Sequence, residues 1–108
     1  MEKTVVIDNK EVKFKTNGAA PLKYKFQFKR DFFSDIVKMQ SAMDGDLSAL
    51  DLETFYNILW IFAKTADPSI PEPIKWLETF DSFPLAEIIP ETIDLITSCL
   101  TSSNPQKN

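Results

Sequence analysis

Alternating residues at the start of the chain predict a β-hairpin over about residues 4–15. Val12 and Phe14 alternate with lysines on the second arm, and Val5 and Ile7 match them on the first. The Asp-Asn-Lys sequence between the arms supplies the turn, because Asn tolerates the left-handed backbone that tight hairpins need. An isolated hairpin is marginal in water, so we expect this one to lie on helices or to pair with another chain.

The segment that follows fits two structures. Strict alternation of Leu22, Tyr24, Phe26 and Phe28 is typical of a strand. A helical stripe passes through the same segment and continues beyond it: Leu22, Phe26, Phe33, Ile36 and Val37. The residues after Lys29 are plainly helical in pattern. We therefore predict one helix from about Pro21 to Gln40, with the proline in its first turn.

The most apolar part of the chain predicts a central helix that ends at about Ala66. Ser48-Ala-Leu-Asp51 resembles a helix N-terminal cap. One face of the helix carries Leu52, Phe55, Leu59, Phe62 and Ala66, and further apolar positions are Tyr56, Ile58, Trp60 and Ile61. A helix that is apolar nearly all round is expected to be buried.

Two more helices complete the predicted fold. Pro68, Pro71 and Pro73 end the central helix, and the last of them begins a short helix that reaches about Phe80. The final stripe comprises Leu85, Ile88, Ile89, Ile93, Ile96 and Leu100, and Pro90 within it is expected to kink the helix. The prediction is a mainly α fold with an N-terminal β-hairpin (α+β) and about four helices. It forms a single domain over residues 1–100, followed by a flexible polar tail at 101–108.

Composition adds two observations. Nine Phe, two Trp and two Tyr are many aromatics for 108 residues, which indicates either a well-filled core or a core plus an adhesive surface. Charge is also divided along the chain: residues 1–40 have a net charge of +4 and residues 41–108 a net charge of −8. Each half then has a solvated face of its own sign, or copies associate head to tail, basic end on acidic end.

The sequence contains little that could support catalysis. There is no histidine, and two glycines are too few for a phosphate-binding loop. Three carboxylate pairs could in principle do acid–base work: Asp51 with Glu53, Glu87 with Glu91, and Asp31 with Asp35. Such pairs are ordinary on solvated helix faces. We therefore expect neither an enzyme nor a cofactor.

Metal, redox and membrane functions are also not expected. Asp44-Gly45-Asp46 lacks the further ligands of a calcium-binding loop. Cys99 has no basic neighbour in sequence, so we expect an inert, half-buried thiol. No leader peptide or membrane-spanning stretch is visible, which predicts a cytoplasmic protein without a membrane partner.

Nucleic-acid binding is the alternative function class. Basic residues are interleaved with aromatics over the first thirty residues: Lys10, Lys13, Lys15, Lys23, Lys25, Lys29 and Arg30 with Phe14, Tyr24, Phe26 and Phe28. On a strand this arrangement would make a stacking platform. The chain as a whole is acidic, with a net charge of −4, which disfavours nucleic acid as a partner.

The order of these parts resembles the tail assembly chaperones of long-tailed phages and prophages of Gram-positive bacteria. The resemblance covers about residues 3–100. Its most specific patterns are Tyr24-x-x-x-Phe28-x-x-Asp31 and Ile89-Pro90-Glu91.

The resemblance implies a function in virion assembly. Such chaperones bind the long, aggregation-prone tape measure protein and keep it soluble in the host cytoplasm. They recruit tail tube subunits and are absent from the finished virion. Candidate partner-binding residues are Ile88, Ile89, Ile93 and Ile96 on the last helix, and an ordinary core role is the alternative for each.

Overall fold

The computed structural model describes residues 1–45 and 51–99. Within them, an antiparallel hairpin of β1 (Glu2–Ile7) and β2 (Lys10–Lys15) precedes five helices. The helices are α1 (Ala20–Phe28), α2 (Phe32–Met43), α3 (Leu52–Ala66), α4 (Pro73–Leu77) and α5 (Leu85–Ser98). The mainly α class with an N-terminal hairpin is confirmed. The predictions for Asp46, for Ser48–Leu50, for Leu100 and for the tail at 101–108 lie outside the described residues.

The hairpin is closed by a two-residue turn. Asp8 and Asn9 have φ values of 55° and 63°, the left-handed pair that matches the twist of two antiparallel strands. Ile7 and Phe14 are buried on the inner face, where β1 contacts α5 and β2 contacts α3. The hairpin therefore lies on helices, which was one of the two predicted ways to stabilise it.

Helix α3 is the centre of the fold. Its N-terminus is capped by Asp51, whose carboxylate accepts hydrogen bonds from the backbone N–H groups of Glu53 and Thr54. An unbroken run of buried residues extends from Asn57 to Ala63. The prediction of a buried central helix is confirmed, although Leu52 is exposed at the first turn instead of facing the core.

The predicted single helix over Pro21–Gln40 is wrong, because the chain breaks between α1 and α2. Lys29 adopts a left-handed conformation (φ 60°, ψ 33°), and its N–H closes α1 by donating to the carbonyl of Lys25. Asp31 is extended, and its carboxylate caps α2 by accepting the N–H of Ser34 at 2.9 Å.

This break changes which apolar residues face the core. The buried set on α1 and α2 includes Tyr24, Phe32, Ile36 and Met39, with Phe28 half-buried. Four of the five residues in the predicted stripe are instead exposed: Leu22 (58%), Phe26 (66%), Phe33 (47%) and Val37 (53%). A stripe drawn through one continuous helix fails because the break gives α1 and α2 separate orientations.

Most of the aromatic residues fill the core. Phe26 and Phe33 are exposed, and the other eleven are buried or half-buried. Four of them form one cluster, in which ring centroids are 5.3–5.9 Å apart: Tyr56, Trp76, Phe80 and Phe83. This cluster fixes α4 and the segment after it to α3. No helix in the described ranges is both long and apolar enough to cross a membrane.

Candidate functional site

The four isoleucines predicted to bind a partner do not form one exposed surface. Ile88 and Ile96 are 1% and 0% exposed and belong to the core, so the ordinary-core alternative holds for them. Ile89 is half-buried against that core, and Ile93 is 39% exposed. Helix α5 continues through Pro90 and turns its long aliphatic face inward. Of the four, only Ile93 faces solvent.

An open apolar groove lies instead between α3 and α4. Its volume is about 490 Å³, and its apolar lining comes from Phe28, Tyr56, Pro73, Ile74 and Leu77. The side chain of Ile74 is 70% exposed at its edge, the highest value among the large apolar side chains of the described residues. The groove is therefore a place where apolar atoms of a partner would be removed from water.

The rim of this groove is polar and mainly acidic. Glu53, Asn57, Glu72 and Lys75 also line it, so two carboxylates accompany one ammonium group. Glu53, Glu72 and Lys75 are exposed, which keeps their charges hydrated. An apolar groove with such a rim suits an amphipathic helix whose flanking residues are basic.

The wall formed by α4 is positioned by the proline-rich linker before it. The indole N–H of Trp60 donates to the carbonyl of Pro71 at 3.0 Å. Lys64 Nζ donates to the carbonyls of Pro68 and Ile70, each at 2.7 Å. These bonds tie the linker to α3, and Pro73 then starts α4 at its first turn.

Phe28 of α1 forms the wall of the groove opposite α4, and its position depends on a buried polar cluster at the α1–α2 corner. The carboxylate of Asp35 accepts a bidentate pair from Arg30, with Nε–Oδ2 and Nη2–Oδ1 distances of 2.7 and 2.8 Å. It also accepts the hydroxyl of Tyr24 at 2.6 Å. We call these three residues the corner clasp. Phe28 lies against Tyr24 (5.0 Å between ring centroids) and against Trp60 (5.7 Å), so the clasp supports the Phe28 wall.

The clasp shifts the ionisation of its members. Burial of Asp35, which is 2% exposed, opposes its charge, but the hydrogen bonds from Arg30 and Tyr24 outweigh burial and hold its pKa below the usual value. Burial first, and then the bond to Asp35, raise the pKa of Tyr24 far above its usual range. At neutral pH the clasp therefore contains an ionised carboxylate and a neutral phenol, which is the pairing its geometry requires.

The clasp and the helix caps account for one of the two specific sequence patterns. Tyr24 and Phe28 form the corner and the groove wall, and Asp31 caps α2. In the other pattern, Ile89 packs on the core while Pro90 and Glu91 are exposed on α5. Both patterns thus describe positions in the fold, and Phe28 alone contributes to the groove.

Three of the six carboxylates considered for acid–base work have structural roles, and the single thiol is half-buried. Asp31 and Asp51 cap helices, and Asp35 is held within the clasp. Cys99 is half-buried, its thiol donates to the carbonyl of Leu95 at 3.3 Å, and burial raises its pKa, so the neutral thiol is favoured. Across residues 1–45 and 51–99, no group of three or more His, Cys, Asp or Glu side chains could hold a metal ion.

Sequence reasoning missed the groove residues Tyr56, Ile74 and Leu77 as binding candidates. The available indication was an apolar residue directly after Pro73, at the start of a short predicted helix. The structure ends α4 at Leu77 and not at about Phe80, and so short a helix buries few of its side chains. Comparison with protein family models, with curated proteins and with solved structures found no match. The assignment of function therefore depends on the geometry of the chain itself.

Proposed function

We propose that this protein is a tail assembly chaperone of a long-tailed phage or prophage. In this function it binds the tape measure protein, keeps it soluble in the host cytoplasm, recruits tail tube subunits and leaves before the virion is complete. The observation that supports the proposal is the open apolar groove between α3 and α4. The mechanism is one of binding and release, without a chemical step.

The size of the groove sets how much client one copy covers. About 490 Å³ accommodates a few large side chains, roughly one apolar stripe over two turns of a helix. A long helical client therefore needs many copies along its length. Burying one Leu or Ile side chain contributes about 1.5–3 kcal/mol, so each contact is weak enough to be displaced when tube subunits polymerise.

Charge in the rim specifies which client helices fit. Glu53 and Glu72 would pair with Lys or Arg beside the apolar stripe, whereas Asp or Glu at those places would be repelled. The acidic body of the chain, −8 over residues 41–108, keeps a chaperone with an open apolar groove soluble.

The structure removes the main support for the nucleic-acid alternative. The Leu22–Phe28 segment is helical, so the platform of alternating aromatics on a strand does not form. Phe14 and Tyr24 are fully buried and Phe28 is half-buried, which leaves Phe26 as the accessible aromatic of the four. Arg30 is engaged by Asp35.

Co-expression with the long, tape-measure-like protein of the same genome tests the proposal. We expect the wild-type chain to keep that client soluble and to stay bound at high salt. Ile74→Asp places a charge at the edge of the groove and should weaken client binding about tenfold, equivalent to about 1.4 kcal/mol, so less client should remain soluble. The matched control is Val6→Asp, at a residue of the hairpin that is 67% exposed and does not line the groove.

Two outcomes would contradict the proposal. A client that stays insoluble with the wild-type chain excludes the chaperone function. A chain that instead retains nucleic acid, and loses it steeply as salt rises, favours the alternative.

A further inference from the structure

The outer face of α1 combines exposed apolar side chains with exposed lysines. Leu22 and Phe26 lie one turn apart and are 58% and 66% exposed. Lys23, Lys25 and Lys29 surround them and are also exposed. Residues 20–30 contain no Asp or Glu, so the charges of α1 itself are all positive. The exposed carboxylate that follows them, Asp31, caps α2 and lies close enough to Lys25 to be affected by its charge.

The outer face of α5 has the complementary chemistry. Helical spacing places Ala86, Pro90 and Ile93 in one exposed row, and Ile93 is 39% exposed. An adjacent exposed row is acidic and consists of Glu87, Glu91 and Asp94. Helix α5 contains no Lys or Arg, so its outward charge is of one sign.

The spacing of the two charged rows is compatible with side-by-side contact. Lys25 and Lys29 are four residues apart, as are Glu87 and Glu91, so both pairs are about 6 Å apart along their helices. Beside Phe26 a hollow of about 340 Å³ opens between α1 and α3 and is floored by Trp60. A modest apolar side chain such as isoleucine fits a hollow of that size.

We propose that the outer face of α1 on one copy binds the outer face of α5 on a second copy. The lysines of α1 pair with the carboxylates of α5, and Ile93 enters the hollow beside Phe26. Both faces are exposed within one chain, so they are not covering each other there. The two faces differ, so each copy retains one free face, and the contact propagates into a ring or an open chain. This inference rests on α1 and α5 and does not depend on the proposed function.

Charge reversal with a reciprocal partner tests this contact. One variant carries Lys25→Glu and Lys29→Glu, and the other carries Glu87→Lys and Glu91→Lys. All four positions are exposed, so the fold should survive, which circular dichroism verifies. Sedimentation velocity should show that wild type associates as concentration rises, whereas each variant alone associates at least about tenfold more weakly, or 1.4 kcal/mol.

Mixing the two variants is the decisive step. A mixture presents a basic α1 to an acidic α5 and an acidic α1 to a basic α5, so association should return. Lys13→Glu with Lys15→Glu is the control, because it makes the same change in net charge on the hairpin and should leave association intact. Association of wild type should also weaken as salt rises from about 0.05 to 0.5 M, because the Debye length falls below 5 Å.

Three results would overturn the inference. Wild type that remains monomeric at low salt and high concentration shows no such contact. Variants that associate as wild type does place the contact on another face. A mixture that stays monomeric while wild type associates shows that the lysines and carboxylates do not pair with each other.

Discussion

Helices α1 and α5 flank the same fold but are anchored by different chemistry. Helix α5 is fixed by aliphatic side chains, with Ile88, Leu95 and Ile96 no more than 1% exposed. Helix α1 is fixed by Ala20 and by Tyr24, whose hydroxyl donates to the buried carboxylate of Asp35. Attachment of α5 therefore depends mainly on apolar packing, with one hydrogen bond from Gln40 of α2 to Thr97. Attachment of α1 depends also on an ionised group.

The largest expected change in the free energy of unfolding comes from the buried aliphatic side chains that hold α5. Ile96→Ala removes three buried carbons and leaves a cavity, so it should lower the free energy of unfolding by about 2–5 kcal/mol. Ile93→Ala, the same change three residues earlier on the outer face, should cost less than about 1 kcal/mol. Urea unfolding measures both. Equal losses at the two positions would contradict the inward orientation assigned to Ile96.

Breaking the clasp should have the second largest effect. Asp35→Asn removes the charge that holds Arg30 and leaves the buried Tyr24 hydroxyl with a weaker acceptor. We expect a loss of about 2–3 kcal/mol in the free energy of unfolding. Asp31→Asn makes the same chemical change four residues earlier at a helix cap, where Asn caps as well as Asp, so its effect should be within about 0.5 kcal/mol. A mild effect at Asp35 would show that α1 does not depend on the clasp.

Lowering the pH should weaken the attachment of α1, which depends on the ionised carboxylate of Asp35, more than the attachment of α5. The pKa of Asp35 is lower in the folded protein than its usual value near 3.8, so the unfolded chain takes up the proton first as pH falls. The contribution of the clasp to the free energy of unfolding is therefore complete when the pH is above the usual pKa. It is lost as the pH falls through the lower pKa that Asp35 has in the folded protein. Unfolding free energy measured from neutral to acidic pH should fall less steeply for Asp35→Asn than for wild type. Parallel curves would show that Asp35 contributes no pH dependence.

The smallest effect tests the backbone between α1 and α2. Lys29→Gly should stabilise the protein by about 0.5–1 kcal/mol, because a left-handed residue without a Cβ avoids a steric penalty. Lys25→Gly, one turn earlier inside α1, should destabilise it by a similar amount. Thermal unfolding measures both, and the same sign at both positions would contradict the break.

The hairpin and the central helix were predictable because their evidence is local. Asp8 and Asn9 tolerate the left-handed turn, and the flanking apolar residues alternate. The segment over residues 52–66 is apolar on nearly every face, so no choice of face was needed. The charge difference between the two halves of the chain was also visible in the sequence. The structure adds that exposed lysines lie on the outer face of α1 and exposed carboxylates on the outer face of α5.

The α1–α2 corner was not predictable from periodicity. Lys29 carries no sequence mark of a left-handed residue, since Gly or Asn usually occupies such a position. The buried role of Tyr24 depends on a carboxylate eleven residues later, and Arg30 joins the same group from outside either helix. The groove likewise arises where α3 meets α4, so its lining becomes visible only after packing.

If the groove between α3 and α4 binds an apolar client, a photoreactive side chain at the edge of the groove should react with that client. The decisive experiment is photo-crosslinking from position 74, with benzoylphenylalanine replacing Ile74 in a chain co-expressed with the tape-measure-like protein. A second chain, with the same group at Val6, reports unspecific contact from a side chain of similar exposure. We expect a covalent adduct with the client from position 74 and little from position 6. Equal yields from both positions, or adducts from position 6 alone, would contradict the assignment of the groove as the client site.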